Sequence, residues 1–323
     1  MSNIAMCLFA SSGFDKAAQG LAGAARRLAD ETGGQMHAIV MGGGADSVAA
    51  EAARFADTVT VVDQVETAEY QPEICLNALT ELCRELAPRA VLFSNETYGQ
   101  EIVPRLAHRL GGSAVGDGVE LRVQDGKLSV VRQVYGAKAQ AVIELKRTPA
   151  VVWLRGSSFQ PAEPRATSSE ITHAALTIQA DTRTKIVERQ REDSSEARLE
   201  DARIIVGGGR GIGGRELFDS QLRPLADILG AQMGATRAAC DSGWVPATWQ
   251  IGLTGKKVAP ELYVAVAMSG SSQHMAGVSD AKTIVAINTD SESPIFNHCR
   301  YGIVGDFRQV VPLLREKLIA SRK

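Results

Sequence analysis

Apolar residues in the first 110 positions fall into two alternating kinds of segment. Short, nearly continuous runs at Ile4–Phe9, Gln35–Met41, Thr58–Val62 and Ala90–Ser94 have the length of strands. Between them lie longer segments of helical spacing, Ala17–Thr32, Ala45–Phe55, Gln71–Leu86 and Gln100–Leu110. In Gln71–Leu86, the residues Ile74, Leu76, Leu79, Leu82 and Leu86 supply the apolar side. Strands that alternate with helices in this way predict a parallel sheet with right-handed crossovers.

The rhythm changes after residue 115. Gly116–Arg122, Leu128–Val134, Gln140–Leu145 and Pro149–Leu154 are short, rich in β-branched residues and separated by turn residues. They read as antiparallel strands added to the parallel sheet. Lys185–Arg203 is dominated by charge, as in Glu188–Asp193, and reads as a solvated linker or as a crossing strand at its start. A boundary near Ala197 divides the chain into an amino-terminal domain, 1–196, and a carboxyl-terminal domain, 197–323.

Beyond that boundary each short apolar run is followed by small and polar residues. Ile204–Val206 leads to Gly207–Gly211, Gly234–Thr236 to Arg237–Gly243, and Leu262–Ala267 to Met268–His274. Thr283–Ile287 leads to Asn288, and Tyr301–Val304 to Gly305–Asp306. Glu216–Leu229 and Arg308–Ser321 have helical spacing. The pattern predicts a second, doubly wound parallel sheet whose strands share one carboxyl edge, where an α/β sheet binds its ligands. The fold class is therefore α/β in two domains.

Composition narrows the function without deciding it. With 45% apolar and 22% charged residues and a net charge of −2, the chain lacks the basic excess of a nucleic-acid binder. No apolar run approaches the roughly 20 residues that span a bilayer, so membrane insertion is not expected. Met1–Ala10 shows neither a basic segment nor a cleavage site, so no signal peptide is expected. Cys7, Cys75, Cys83, Cys240 and Cys299 have no C-x-x-C spacing and read as buried, reduced thiols, with no zinc or iron–sulfur site expected.

Several segments carry candidate chemistry. Gly209–Gly214 satisfies G-x-G-x-x-G between a strand and a helix, but the acidic residue that would hold a ribose is missing at the usual distance, Asp241 coming late. A standard NAD site is discounted. What remains is a glycine loop suited to a pyrophosphate, with Arg210 as charged partner, or a tight turn carrying a solvated arginine. Ser269, Gly270, Ser271, Ser272, Gln273 and His274 follow a strand and open a short helix, offering N–H groups, hydroxyls and an imidazole to an anion. The loop Ile251, Gly252, Leu253, Thr254 presents a hydroxyl or is an ordinary turn. Arg237, among small residues, offers a planar guanidinium able to stack on a ring. Asn288 and Asp306 stand at strand ends, where side chains reach a ribose or adenine. There is no G-x-S-x-G, no His-x-x-x-His and no Walker lysine, so neither a nucleophile nor a general base is proposed.

These segments, together with the phrase Ala259-Pro260-Glu261-Leu262-Tyr263, resemble the alpha subunit of electron transfer flavoproteins. Asn95–Ala107 carries the same resemblance into the first domain. The resemblance implies one FAD in the carboxyl-terminal domain and a heterodimer with a beta subunit that contacts the amino-terminal domain and carries AMP or a second FAD. It places Arg210, Thr236 and Ser269–Ser272 along the pyrophosphate and ribityl chain, and Arg237 over the isoalloxazine. Thr254 falls at N5 and His274 at the O2 carbonyl. Asn288 and Asp306 fall at the adenosine end, with Gln250 and Gln273 nearby. A cation or donor near N1 and C2=O favours the negatively charged form taken on reduction, so Arg237 and His274 are expected to set the potential.

Two positions depart from the family pattern: Leu253 stands where a glutamine is usual, and Tyr135–Ala139 differs from the usual small-residue loop. The function expected is an electron carrier, without substrate turnover of its own, between flavin dehydrogenases and a quinone-reducing or other acceptor. The competing readings are a bifurcating member of the same family, a nucleotide-dependent oxidoreductase and an adenine-nucleotide sensor. The expected location is a bacterial cytoplasm, with the mitochondrial matrix as alternative.

Overall fold

The structure is a computed structural model that describes residues 3–94, 97–135, 139–177, 187–188, 199–278 and 280–321. The chain divides into two compact units, one of residues 1–133 and 140–191, the other of residues 134–139 and 192–323. Most of the charged segment and the expected boundary at Ala197 lie outside the described residues, as do Asn95 and Glu96 of the Asn95–Ala107 motif.

The first unit is built on a nine-stranded sheet. Its strands are β1 (Ile4–Phe9), β2 (Met36–Met41), β3 (Thr58–Val62), β4 (Ala90–Ser94), β5 (Ser113–Gln124), β6 (Lys127–Val134), β7 (Ala139–Glu144), β8 (Ala150–Leu154) and β9 (Ile171–His173). They lie in the order β7-β6-β5-β8-β4-β1-β2-β3-β9. The helices are α1 (Lys16–Glu31), α2 (Ala45–Ala52), α3 (Pro72–Leu86) and α4 (Thr97–Leu110). Alternate residues of β1 serve opposite layers: Ile4, Met6 and Leu8 pack with α1 and α2, while Ala5, Cys7 and Phe9 pack with α3 and α4. Both faces of β1 are covered, which is why its sequence is a continuous apolar run. Cys7, Cys75 and Cys83 are buried free thiols, whereas Cys240 and Cys299 are only partly buried.

One expectation is corrected here. The four segments from 116 to 154 are not a set of antiparallel strands added outside the parallel sheet. β8 lies between β4 and β5 and is parallel to both, whereas β5 and β6 pair antiparallel as expected and β7 lies outside β6. The sequence Ala-Val-Val-Trp-Leu of β8 is apolar without alternation, as an interior parallel strand requires. β9 was not expected: three residues long, it joins the edge through backbone pairing with β3.

The second unit holds a five-stranded parallel sheet of β10 (Ile204–Gly208), β11 (Gln232–Ala235), β12 (Leu262–Val266), β13 (Thr283–Asn288) and β14 (Tyr301–Val304), ordered β11-β10-β12-β13-β14. Its helices are α5 (Arg215–Leu217), α6 (Arg223–Leu229), α7 (Arg237–Asp241), α8 (Ser272–Met275) and α9 (Phe307–Ala320). A π-helical stretch, Phe218–Leu222, joins α5 to α6 just before Pro224, whose missing N–H interrupts the α-helical ladder. Val206, Val264 and Val266 pack with α6 and α9 on one face. Ile205, Tyr263 and Ala265 face a second cluster containing Ile251, Val258, Met268 and Met275. The chain leaves β10 first for β11 and later for β12 on the other side, so the order reverses between β10 and β12. That reversal opens a crevice at the carboxyl edge.

Candidate functional site

A cavity of about 640 Å³ opens at this reversal. Its walls come from the loop after β10 (Arg210, Gly211), the start of α7 (Thr236–Ala238, Asp241), the loop 250–254 and the turn after β12 (Ala267–Ser271), closed by Gln273 and His274. Every expected site residue lines it except Ser272, Asn288 and Asp306.

The glycines after β10 serve close packing. A Cβ on Gly209 would lie 2.3 Å from the Ala267 carbonyl oxygen, and one on Gly211 2.7 Å from the same atom. The Gly209 N–H donates to Val266 O (2.9 Å) and the Gly211 N–H to Ala267 O (3.1 Å). The Ile212 and Gly213 amides turn back onto Gly209 and Arg210. The Gly209 and Gly211 amides are consumed in joining two loops and those of Ile212 and Gly213 within their own loop, so these four are not the free anion cradle that a G-x-G-x-x-G pattern led us to expect. Arg210 itself stays exposed at the cavity mouth. Ala267 completes the junction with a left-handed backbone (φ 51°), uncommon for a residue with a Cβ, and donates its N–H to Ile287 O (2.9 Å).

Loop 250–254 is hooked onto β11 by Ile251 N–H to Ala235 O (2.9 Å) and closed by Lys256 N–H to Gln250 O (2.8 Å). Gly252 (φ 146°) approaches the Gln273 carbonyl so closely that a Cβ would lie 2.9 Å from it, and the Leu253 N–H donates to the same oxygen at 2.7 Å. Inside this loop Gln250 Nε2 donates to Thr254 Oγ1 (3.0 Å), which leaves the threonine proton free to donate elsewhere. The Leu253 side chain is exposed.

The polar groups on the walls fall into distinct states. Thr236 Oγ1 is buried and has no hydrogen-bond partner among the described residues, although Thr236 occupies the N-cap position of α7. An unpaired buried hydroxyl is costly, and Thr236 is one of the residues that line the cavity. Arg237 is mostly exposed and pairs through Nε with Asp241 Oδ2 at 3.2 Å. His274 is buried, with Nδ1 3.1 Å from the Ile251 carbonyl oxygen and Nε2 2.9 Å from the Tyr263 hydroxyl. Burial pushes its pKa down to about 4, so the ring is neutral near pH 7. Burial raises the Tyr263 phenol in turn.

The residues outside the cavity have other work. Asn288 Nδ2 donates to Met268 O (2.9 Å) and Ser293 Oγ (3.1 Å), and its Oδ1 accepts from the Asp290 N–H (3.1 Å). Asp306 caps α9 by accepting from the Arg308 N–H (2.9 Å). Ser272 is the first residue of α8. Asp241 was weighed in the sequence only as a late ribose partner; its i, i+4 spacing from Arg237 was the available signal for the ion pair. Tyr263 had no role in the sequence beyond its place in the Ala259–Tyr263 phrase, and only the fold brings it to His274. Elsewhere, Asp46, Asp63 and His173 gather ligand atoms within 4.8 Å of one another. There the two imidazole nitrogens face different carboxylates, Asp63 at 3.2 Å and Asp46 at 4.0 Å, which is an ion-pair geometry.

Two family models match the chain. Residues 198–279 match the electron transfer flavoprotein FAD-binding domain, and residues 10–179 the electron transfer flavoprotein domain. The electron transfer flavoprotein subunit alpha of Thermoanaerobacterium thermosaccharolyticum is 37% identical over 301 residues, covering 92% of this chain and 91% of its own. That of Megasphaera elsdenii is 37% identical over 305 residues (92% and 90%), and that of Bacillus subtilis 35% over 288 residues (88% and 87%).

Proposed function

The chain belongs to the electron transfer flavoprotein family as an alpha subunit with an FAD-binding domain, and we propose that the cavity between the β10 and β12 loops is where the FAD is held. The observation that carries this reading is Thr236, a residue whose buried hydroxyl has no partner among the described residues and which lines a dinucleotide-sized cavity at the sheet's switch point. The donor set fits the group: two arginines, hydroxyls and small residues suit a ligand with an anionic linker and a flat ring.

In this reading Arg210, Thr236 and the serines Ser269–Ser271 hold the pyrophosphate and ribityl portion. Arg237 lies against the ring, and Thr254, its hydroxyl oriented by Gln250, donates to a ring nitrogen. Gln250, Gly252, Leu253, Gly270 and Gln273 complete the walls. Ser272, Asn288 and Asp306 act from outside the cavity, as loop and helix-cap residues or toward the adenosine end. FAD supplies the one- and two-electron redox chemistry when bound. The chain's own contribution is electrostatic: Arg237, tempered by Asp241, places positive charge where reduction adds negative charge.

The protein works as a carrier, without turnover of a substrate of its own. It pairs with a beta subunit that carries AMP or a second FAD, accepts electrons from flavin dehydrogenases and delivers them to a quinone-reducing or other acceptor oxidoreductase. Among the described residues no helix is long and apolar enough to cross a membrane, and a bacterial cytoplasm is the compartment we assign. The test is to co-produce the chain with its beta subunit and record the visible spectrum and the nucleotide released on denaturation. Flavin bands with FAD released from the alpha subunit are expected. A colourless complex that stays colourless after FAD is added overturns the reading.

A further inference from the structure

The Tyr263–His274 pair is buried and enclosed, and its geometry leaves little freedom in where the protons lie. A carbonyl oxygen only accepts, so the contact between Nδ1 and Ile251 O (3.1 Å) requires the proton on Nδ1. In the neutral ring Nε2 then carries a lone pair, and the Tyr263 hydroxyl at 2.9 Å must be its donor. The hydroxyl has a second possible acceptor, Met268 Sδ at 3.8 Å, which is a weaker partner than an imidazole nitrogen.

The surroundings are shaped to this contact. Position 207 on the neighbouring strand β10 is glycine, and a Cβ there would fall 2.1 Å from the Tyr263 hydroxyl oxygen. Strand β10 thus gives up a side chain at the one place where the phenol must pass. Both His274 nitrogens are spent within the protein, although its ring lines the cavity.

We propose that Tyr263 is the positioning residue for His274, fixing its tautomer and ring rotation so that a neutral, oriented imidazole faces the bound flavin. This rests on the reading of the cavity as the FAD site. It changes the role expected of His274: instead of donating an N–H to a flavin oxygen, it presents a fixed dipole and ring edge, and Arg237 is left as the charged group. Tyr263 acts without touching the cofactor, as partners of ligand-contacting histidines commonly do in metal sites.

The experiment uses the complex of this chain with its beta subunit, labelled with ¹⁵N-histidine, the His274 signals being assigned by their loss in His274→Gln. In the unsubstituted complex Nδ1 is expected to be protonated and Nε2 to be a hydrogen-bonded acceptor. In Tyr263→Phe the Nε2 signal should move to the position of a free imine nitrogen, or the tautomer should redistribute. The flavin reduction equilibrium should shift by about three- to tenfold, the effect of one lost hydrogen bond. The double variant should shift no further than His274→Gln. A protonated Nε2 in the unsubstituted complex overturns the proposal, and this result needs no variant to fold. So do His274 signals unmoved in Tyr263→Phe, or an equal shift from that substitution when His274 is already replaced. A complex without FAD would instead refute the reading of the cavity, and the tautomer measurement would still decide the contact between the two side chains.

Discussion

Gly207 lies directly beneath the hydroxyl of Tyr263, so that a side chain at 207 and a phenol at 263 exclude one another. Gly207→Ala is therefore expected to displace Tyr263, part the bond to His274 and strain the paired strands β10 and β12. Overpacking of this kind costs about 1–3 kcal/mol. Urea denaturation of the variant should show the unfolding free energy lowered by that amount. Combining it with Tyr263→Phe, which removes the clashing oxygen, should recover part of the loss. Additive losses would show that the clash is with something else.

Arg237 and Asp241 face one another four residues apart at the cavity wall, and both are well exposed. Asp241 cannot fix the arginine strongly, since exposed pairs contribute little, but it does offset its charge. Asp241→Asn should raise the flavin potential and Arg237→Ala should lower it. Each change should amount to about 1 kcal/mol at low salt and shrink as ionic strength rises. Spectroelectrochemistry at two salt concentrations checks both the opposite signs and the screening.

What the sequence disclosed and what it hid follow from the range of the interactions. β1, β3, β4 and β14 have the boundaries that their apolar runs predict; in β1, β4 and most of β3 burial on a sheet imprints directly on residue type, whereas β14 is exposed and was legible from its β-prone residues. β8 was misplaced because an apolar run signals burial but not which neighbours it has, and those are set by the long crossovers on either side. The site was legible as small and polar residues after each strand, since a carboxyl edge leaves those positions open. The use of each group was not. Gly209 and Gly211 look like a phosphate loop, yet they exist to let the loop touch Ala267, 56 residues beyond Gly211 in sequence. His274 looked like a free donor until the fold brought Tyr263 and Ile251 to its two nitrogens.

Leu253 is exposed beside Thr254, at a position where the resemblance leads one to expect glutamine. Its backbone N–H, not its side chain, secures the loop to Gln273 O. Leu253→Gln should consequently leave the thermal midpoint within about 2 °C, as surface substitutions within ±0.5 kcal/mol do. An added amide donor near the ring should raise the flavin potential. A stability loss well beyond that range would show that the leucine side chain packs into the fold.

Thr236 separates the empty from the loaded protein. Its buried Oγ1 has no partner among the described residues, so Thr236→Val should leave the cofactor-free protein unchanged or stabilise it by about 1 kcal/mol. With FAD the sign should reverse, because the variant loses a hydrogen bond that the threonine makes, and affinity should fall by about three- to tenfold. Differential scanning calorimetry with and without added FAD gives both numbers from one preparation. Destabilisation of equal size in the two states would mean that the hydroxyl serves the fold and not the ligand.

His274 should make the second unit sensitive to acid. Its folded pKa of about 4 lies below the ordinary imidazole value of 6.5, so between those limits the unfolded chain binds more protons than the folded one. Stability is then independent of this group above pH 6.5, falls as pH drops toward 4 and levels off below it. A shift of that size corresponds to a loss of about 3 kcal/mol at most. His37, also lowered by burial, adds a loss of the same sign in the first unit. The informative quantity is therefore the difference between the unsubstituted protein and His274→Gln, followed by urea titration at pH 7, 6, 5 and 4.5. The gap in stability between the two should narrow steadily as pH falls through this window. A constant gap would mean that His274 titrates in the folded chain as it does in the unfolded one, so that burial does not hold the ring neutral.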